Sequence, residues 1–74
     1  MEITYRTKRS AMIEAKAFLS TVGTNDLAMI RRNVNAKGFT RRTATTFTFE
    51  VPDSLILQAQ DFFGHDGPEV FRNR

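Results

Sequence analysis

The segment FTRRTATTFTFEV, residues 39–51, constrains the fold most, because it predicts a strand that cannot stand alone. It is dense in Thr, Phe and Val, which favour β-strands, and Pro52 ends it. Its apolar residues share one parity along the chain, namely Phe39, Phe47, Phe49 and Val51. Such a strand needs a neighbouring strand for its backbone and a further layer over its apolar face.

Two other segments predict helices. In AMIEAKAFLSTVG the apolar residues recur at helical spacing, with Ser10 as the expected N-cap and Gly23 as the stop. In SLILQAQDFFG a broad apolar stripe follows Asp53, which is the expected cap, and Gly64 is the stop. Leu57 falls outside that stripe, which suggests either a solitary exposed side chain or a contact in a homodimer.

The segment NDLAMIRRNVNAKG between them supports two interpretations. As a helix it would form a helix–turn–helix with the first helix, although Leu19 and Arg32 break the pattern of that motif. As a strand it would reach the long Thr/Phe segment through a tight turn at residues 35–38, and this hairpin is the favoured alternative. The N-terminal EITYRT alternates apolar and polar residues and predicts another short strand.

These elements predict one small α+β domain. The expected order is β-α-β-β-α, with a three-stranded antiparallel sheet packed against two helices over residues 1–64. Residues 65–74, rich in turn formers, are expected to form a C-terminal tail. A chain of 74 residues buries only about 60% of its unfolded surface, so it has little stability to spare.

The composition excludes several kinds of chemistry. With no Cys, the chain can form neither disulfides nor thiolate metal sites, and this favours a cytoplasmic protein. His65, the one His, lies in a turn-like stretch without the partners of a catalytic triad or a metal site. No apolar run resembles a signal peptide or approaches the roughly 20 residues of a membrane span. We therefore expect no enzyme activity, no cofactor, no metal and no membrane partner.

The charge distribution suggests where a partner would bind. The net charge is +3, and apart from Asp26 the stretch from Gly23 to residue 49 contains no acid. The tight turn would set Arg32 opposite Arg41 and Arg31 opposite Arg42. Like charges directly opposite each other destabilise a sheet by up to about 1 kcal/mol per pair. Such an arrangement makes sense if an anion normally lies against the hairpin.

Two partner classes fit this expectation. The first is DNA or RNA, since guanidinium groups bind phosphate bidentately and an aromatic side chain can stack on an unpaired base. The second is an acidic protein surface, bound by a non-enzymatic regulator or inhibitor. A basic edge strand that merely discourages aggregation is a third interpretation. The candidate binding residues are Arg31, Arg32, Lys37, Phe39, Arg41 and Arg42, with Lys8 and Arg9 extending the patch.

Overall fold

The computed structural model of the chain describes residues 1–24, 28–36, 43–64 and 69–72. The α-helices are α1 (Lys8–Thr21) and α2 (Ile56–Phe63), the second preceded by a 3-10 turn at Asp53–Leu55. The strands are β1 (Glu2–Tyr5), β2 (Ile30–Ala36), β3 (Ala44–Glu50) and β4 (Glu69–Arg72). The α+β class and the two helices are confirmed. Neither of these two helices is long and apolar enough to cross a membrane.

The sheet differs in detail from the expected one. It has four strands in the order β2-β3-β1-β4: the three expected strands pair antiparallel, and a fourth strand that was not expected makes the sheet mixed. β3 runs antiparallel to both β1 and β2, whereas β4 runs parallel to β1. The fourth strand, Glu69–Arg72, lies in the segment predicted as a tail. β4 forms hydrogen bonds with the backbone of β1. Without β4, strand β1 would be an edge of the sheet.

Both helices pack on one face of the sheet, here called the inner face. Ile3, Tyr5 and Phe49 point to this face and are buried. The ring of Phe18 in α1 lies 6.2 Å from that of Phe49 and 5.4 Å from that of Phe63 in α2. The aromatic rings therefore join sheet and helices into one core, which supplies the main stabilising term in a domain of this size.

The helix termini explain where each helix begins. Ser10 is not the N-cap of α1, because the helix begins two residues earlier, after Thr7. The Thr7 hydroxyl accepts a hydrogen bond of 3.2 Å from the Ser10 amide, which satisfies one free donor of the first turn. Asp53 is likewise not a side-chain cap, since it lies within the 3-10 turn that precedes α2.

Both predicted helix stops are confirmed. Gly23 has φ of +76° and Gly64 has φ of +79°, a backbone region that residues with a Cβ rarely adopt. At the end of α1, the Gly23 amide donates to the Ser20 carbonyl and the Thr24 amide donates to the Leu19 carbonyl. This paired arrangement satisfies two carbonyls of the last turn and directs the chain back toward the sheet.

Replacing Phe18 with Ala should remove much of the stability of the domain. Phe18 is fully buried among three other phenyl rings, and truncation of a buried Phe costs about 3–5 kcal/mol. Typical stability of about 0.05–0.15 kcal/mol per residue gives the whole domain roughly 4–11 kcal/mol. Thermal unfolding followed by circular dichroism measures the change. Ile13→Ala in the same helix is the control, because Ile13 is 56% exposed and its truncation should change stability by less than about 0.5 kcal/mol.

Candidate anion-binding surface

Residues 30–36 form strand β2, so the helical interpretation of this segment and the helix–turn–helix are wrong. The predicted register is also wrong. Arg31 lies opposite Thr48 and Arg32 lies opposite Phe47, so neither faces an arginine of residues 41–42. The shift follows from the core: this register places Ile30 beside the buried Phe49, where its apolar side chain joins the inner face.

The expected tight turn at residues 35–38 is replaced by a longer connection. Ala36 is still within β2 and lies opposite Ala44, so the connection between the two strands begins after Ala36. The register shifts by one residue between Asn33 and Ala36, which marks a β-bulge in β2. Within it Asn35 has φ of +54°, a left-handed conformation that Asn tolerates better than most residues. The tolerance of Asn35 for a left-handed conformation, which predicted a turn, therefore serves a bulge inside a strand.

Arg31 points to the outer face, opposite the helices, where the protein itself neutralises it. Its guanidinium donates to Glu50 on β3 and, over 2.6 Å, to Glu2 on β1. Its Nε donates to the Asn33 side-chain oxygen over 2.9 Å. One arginine therefore bridges the three adjacent strands β2, β3 and β1. Its side chain is 49% exposed, so solvent screens these ion pairs and each contributes modestly.

The same network continues over the outer face. The Asn33 side-chain amide donates to the hydroxyls of Thr48 over 2.8 Å and Thr46 over 3.2 Å. The hydroxyls of Thr48 and Thr4 are 3.0 Å apart and hydrogen-bonded to each other. All three threonines are buried, although neither described helix covers this face. Their burial is tolerated because these hydroxyls bond to one another and to Asn33.

Arg32 points to the inner face and lies beside the start of α1. Together with Lys8, Ile30 and Phe47 it lines a shallow pocket of about 340 Å³. Ile30 and Phe47 are partly buried and form its apolar part, while Lys8 and Arg32 are exposed and supply positive charge. The pocket thus combines an aromatic ring with two cations, one from the edge strand β2 and one from the first turn of α1.

The start of α1 concentrates positive charge at this end of the sheet. The last residue of β1, Tyr5, lies opposite Phe47, so the chain leaves the sheet beside the pocket and enters α1 with Lys8 and Arg9. The first turn of α1 contains no acid. A cation near the free amides of a helix N-terminus is unfavourable by about 0.3–1 kcal/mol, because it repels the positive end of the helix dipole. A bound anion would relieve that repulsion.

These cations have no partner within the described part of the chain. Ion pairs there include those of Arg31 with the carboxylates of Glu2 and Glu50 and of Arg72 with Glu14. None involves Lys8, Arg9 or Arg32, and all three are exposed. They differ in this from Arg31, which two carboxylates bind. We call Lys8 and Arg32 the basic surface; Arg9 follows Lys8 in the first turn of α1 and is not among the residues that line the pocket.

The structure brings together only part of the predicted site. Lys8 and Arg32 meet in one pocket, and Arg31 is directed to the opposite face. The remaining candidates Lys37, Phe39, Arg41 and Arg42 lie outside the described residues.

Sequence reasoning overlooked Phe47 as a site residue and the carboxylates that bind Arg31. Phe47 was expected in the core because it shares the parity of Phe49. Its position near the edge strand, where α1 does not fully cover it, depends on the register of β2. The pairing of Glu2 with Glu50 across β1 and β3 likewise links residues 48 positions apart. No local pattern in the sequence signals either contact.

A second surface lies between the two helices. Val22 and Phe62 contribute apolar side chains to a groove of about 480 Å³ that borders the buried Phe18, and Asp61 and Gln58 add polar groups. On the same helix, Leu57 is 74% exposed, in agreement with its expected place outside the apolar stripe. The homodimer contact suggested for Leu57 stays a prediction.

Comparisons with known protein families, with curated protein sequences and with solved structures found no match to this chain. Among the described residues, no group of three or more His, Cys, Asp or Glu side chains could hold a metal ion. The functional inference therefore depends on the basic surface and its pocket.

The two neighbouring arginines should respond differently to substitution. Arg31→Gln leaves Glu2 and Glu50 directly opposite each other without a counter-charge, so we expect the free energy of unfolding to fall by about 0.5–1 kcal/mol. Arg32→Gln removes the same charge from the adjacent position but breaks none of the ion pairs between described residues, so stability should change by less than about 0.5 kcal/mol. Urea unfolding measures both. Equal effects of the two variants would contradict the assignment of Arg31 as the structural member.

Proposed function

We propose that the protein is a small, non-enzymatic nucleic-acid-binding accessory or regulatory protein that contacts phosphates through its basic surface. The observation that carries this proposal is the convergence of Lys8 and Arg32, from two different elements, on a pocket that also contains Phe47. Phosphate contacts from Lys and Arg supply most of the affinity of such proteins.

The charge distribution supports the proposal. The acids Glu2 and Glu50 lie at the far end of the β1–β3 pairing and are bound by Arg31, so they do not neutralise the basic surface. The connection between β2 and β3 begins after Ala36, at the same end of the sheet as the pocket, and its sequence contains Lys37, Arg41 and Arg42. Phosphate contacts of these three residues stay a prediction.

The salt dependence of binding tests the proposal. A fluorescein-labelled mixed-sequence single strand, as DNA and as RNA, and the corresponding DNA duplex are titrated with protein at several salt concentrations. For a single strand, each phosphate contact contributes about 0.7 to the slope of log affinity against log salt. We expect Lys8→Gln and Arg32→Gln each to reduce the steepness of that slope by about this amount, measured by fluorescence anisotropy.

Lys16→Gln is the matched control. Lys16 is also an exposed cation of α1, but it lies eight residues beyond Lys8, about 12 Å along the helix. Its replacement should leave the slope unchanged. Absence of any anisotropy change at micromolar protein and low salt would refute nucleic-acid binding. Binding of polyglutamate in place of all three nucleic acids would support docking on an acidic protein.

A further inference from the structure

We infer that the pocket between α1 and β2 accepts one unpaired nucleotide, with the base against Phe47 and the adjoining phosphate between Lys8 and Arg32. This inference rests on the proposed nucleic-acid binding and specifies its ligand as a single strand. It follows from the composition of the pocket, in which the apolar and cationic parts lie side by side.

The pocket is a shallow, partly open depression that combines apolar and cationic side chains. Its volume of about 340 Å³ lies at the lower end of the range of roughly 300–1,000 Å³ for small-ligand sites. Phe47 and Arg32 are direct cross-strand neighbours on the inner face, and Ile30 lies two residues before Arg32 on that face. The ring and the aliphatic side chain thus form one apolar surface beside the guanidinium group.

Neighbouring residues of the sheet and the core restrict the ring of Phe47. Its other cross-strand neighbour is Tyr5, which is fully buried, and Phe47 itself packs against the core. A ring held in this way loses little conformational freedom when a base stacks on it, so less of the stacking energy is lost to ordering. Every base has an aromatic face, so recognition of this kind tolerates any sequence.

A base inside a duplex is not available to this pocket. Its faces are covered by its neighbours in the stack, and extruding it costs a few kcal/mol. A single strand offers the base without that cost. At equal salt the protein should therefore bind a single strand more tightly than a duplex of the same sequence.

A comparison of oligothymidylate with an abasic deoxyribose-phosphate chain of the same length tests the inference. Both strands carry the same phosphates, so only the bases differ. Stacking of one base contributes about 1–3 kcal/mol, which corresponds to a factor of about 5 to 150 in affinity. We expect the wild-type protein to bind oligothymidylate at least about fivefold more tightly than the abasic chain.

Phe47→Leu should remove most of that preference. Leu retains an apolar side chain against the core but lacks the ring, so affinity for oligothymidylate should fall about fivefold or more while affinity for the abasic chain stays the same. The slope of affinity against salt should not change, because the phosphate contacts remain. Phe62→Leu is the control, since Phe62 is a partly exposed Phe of α2 that lines the other groove.

The outcomes separate this inference from the proposed function. Equal wild-type affinity for the two strands, with no effect of Phe47→Leu, would refute the nucleotide pocket and leave phosphate binding intact. Failure of either strand to bind at low salt would refute both. The wild-type comparison needs no variant, so it decides the question even if Phe47→Leu destabilises the fold.

Discussion

The register between β2 and β3 is the constraint on which the other features of this domain depend. Side chains alternate between the two faces of a strand, so a shift by one residue would exchange every inner and outer side chain of β2. The observed register directs Ile30 to the aromatic core and Arg32 to the pocket. It also directs Arg31 and Asn33 to the polar network of the outer face. The core holds this register, since any other would move Ile30 away from Phe49.

The outer face shows how a sheet covered on one side can remain ordered on the other. Its threonines, together with Asn33, form continuous hydrogen bonds across β2, β3 and β1, and Arg31 connects that network to Glu2 and Glu50. Each bond contributes little alone, but together they specify one alignment of the strands. Because Arg31 binds Glu2 and Glu50 on the outer face, these two carboxylates do not pair with Lys8 or Arg32, and no other carboxylate of the described residues does.

Much of the fold could be predicted from local patterns. The first strand, both helices, their glycine stops and the Thr/Phe strand all have signals within a few residues, because caps and amphipathic periodicity are local effects. The fourth strand could not be predicted, because the short sequence EVFR becomes a strand only by pairing with β1. The prediction of a tight turn at residues 35–38 was wrong for a related reason. Asn35 can adopt its left-handed conformation in a bulge as well as in a turn, and only the pairing with β3 decides between the two.

For the candidate site, the sequence alone determined that the chain carries segregated positive charge, has no Cys for a thiolate metal site, and has the elements of an α+β domain. The tertiary structure decided the surroundings of each arginine of the pair. Arg31 and Arg32 are identical and adjacent in sequence, yet one is bound by two carboxylates and the other lies beside Lys8 and Phe47. The difference arises because electrostatic neighbours are set by strand pairing across distant parts of the chain, which no local pattern encodes.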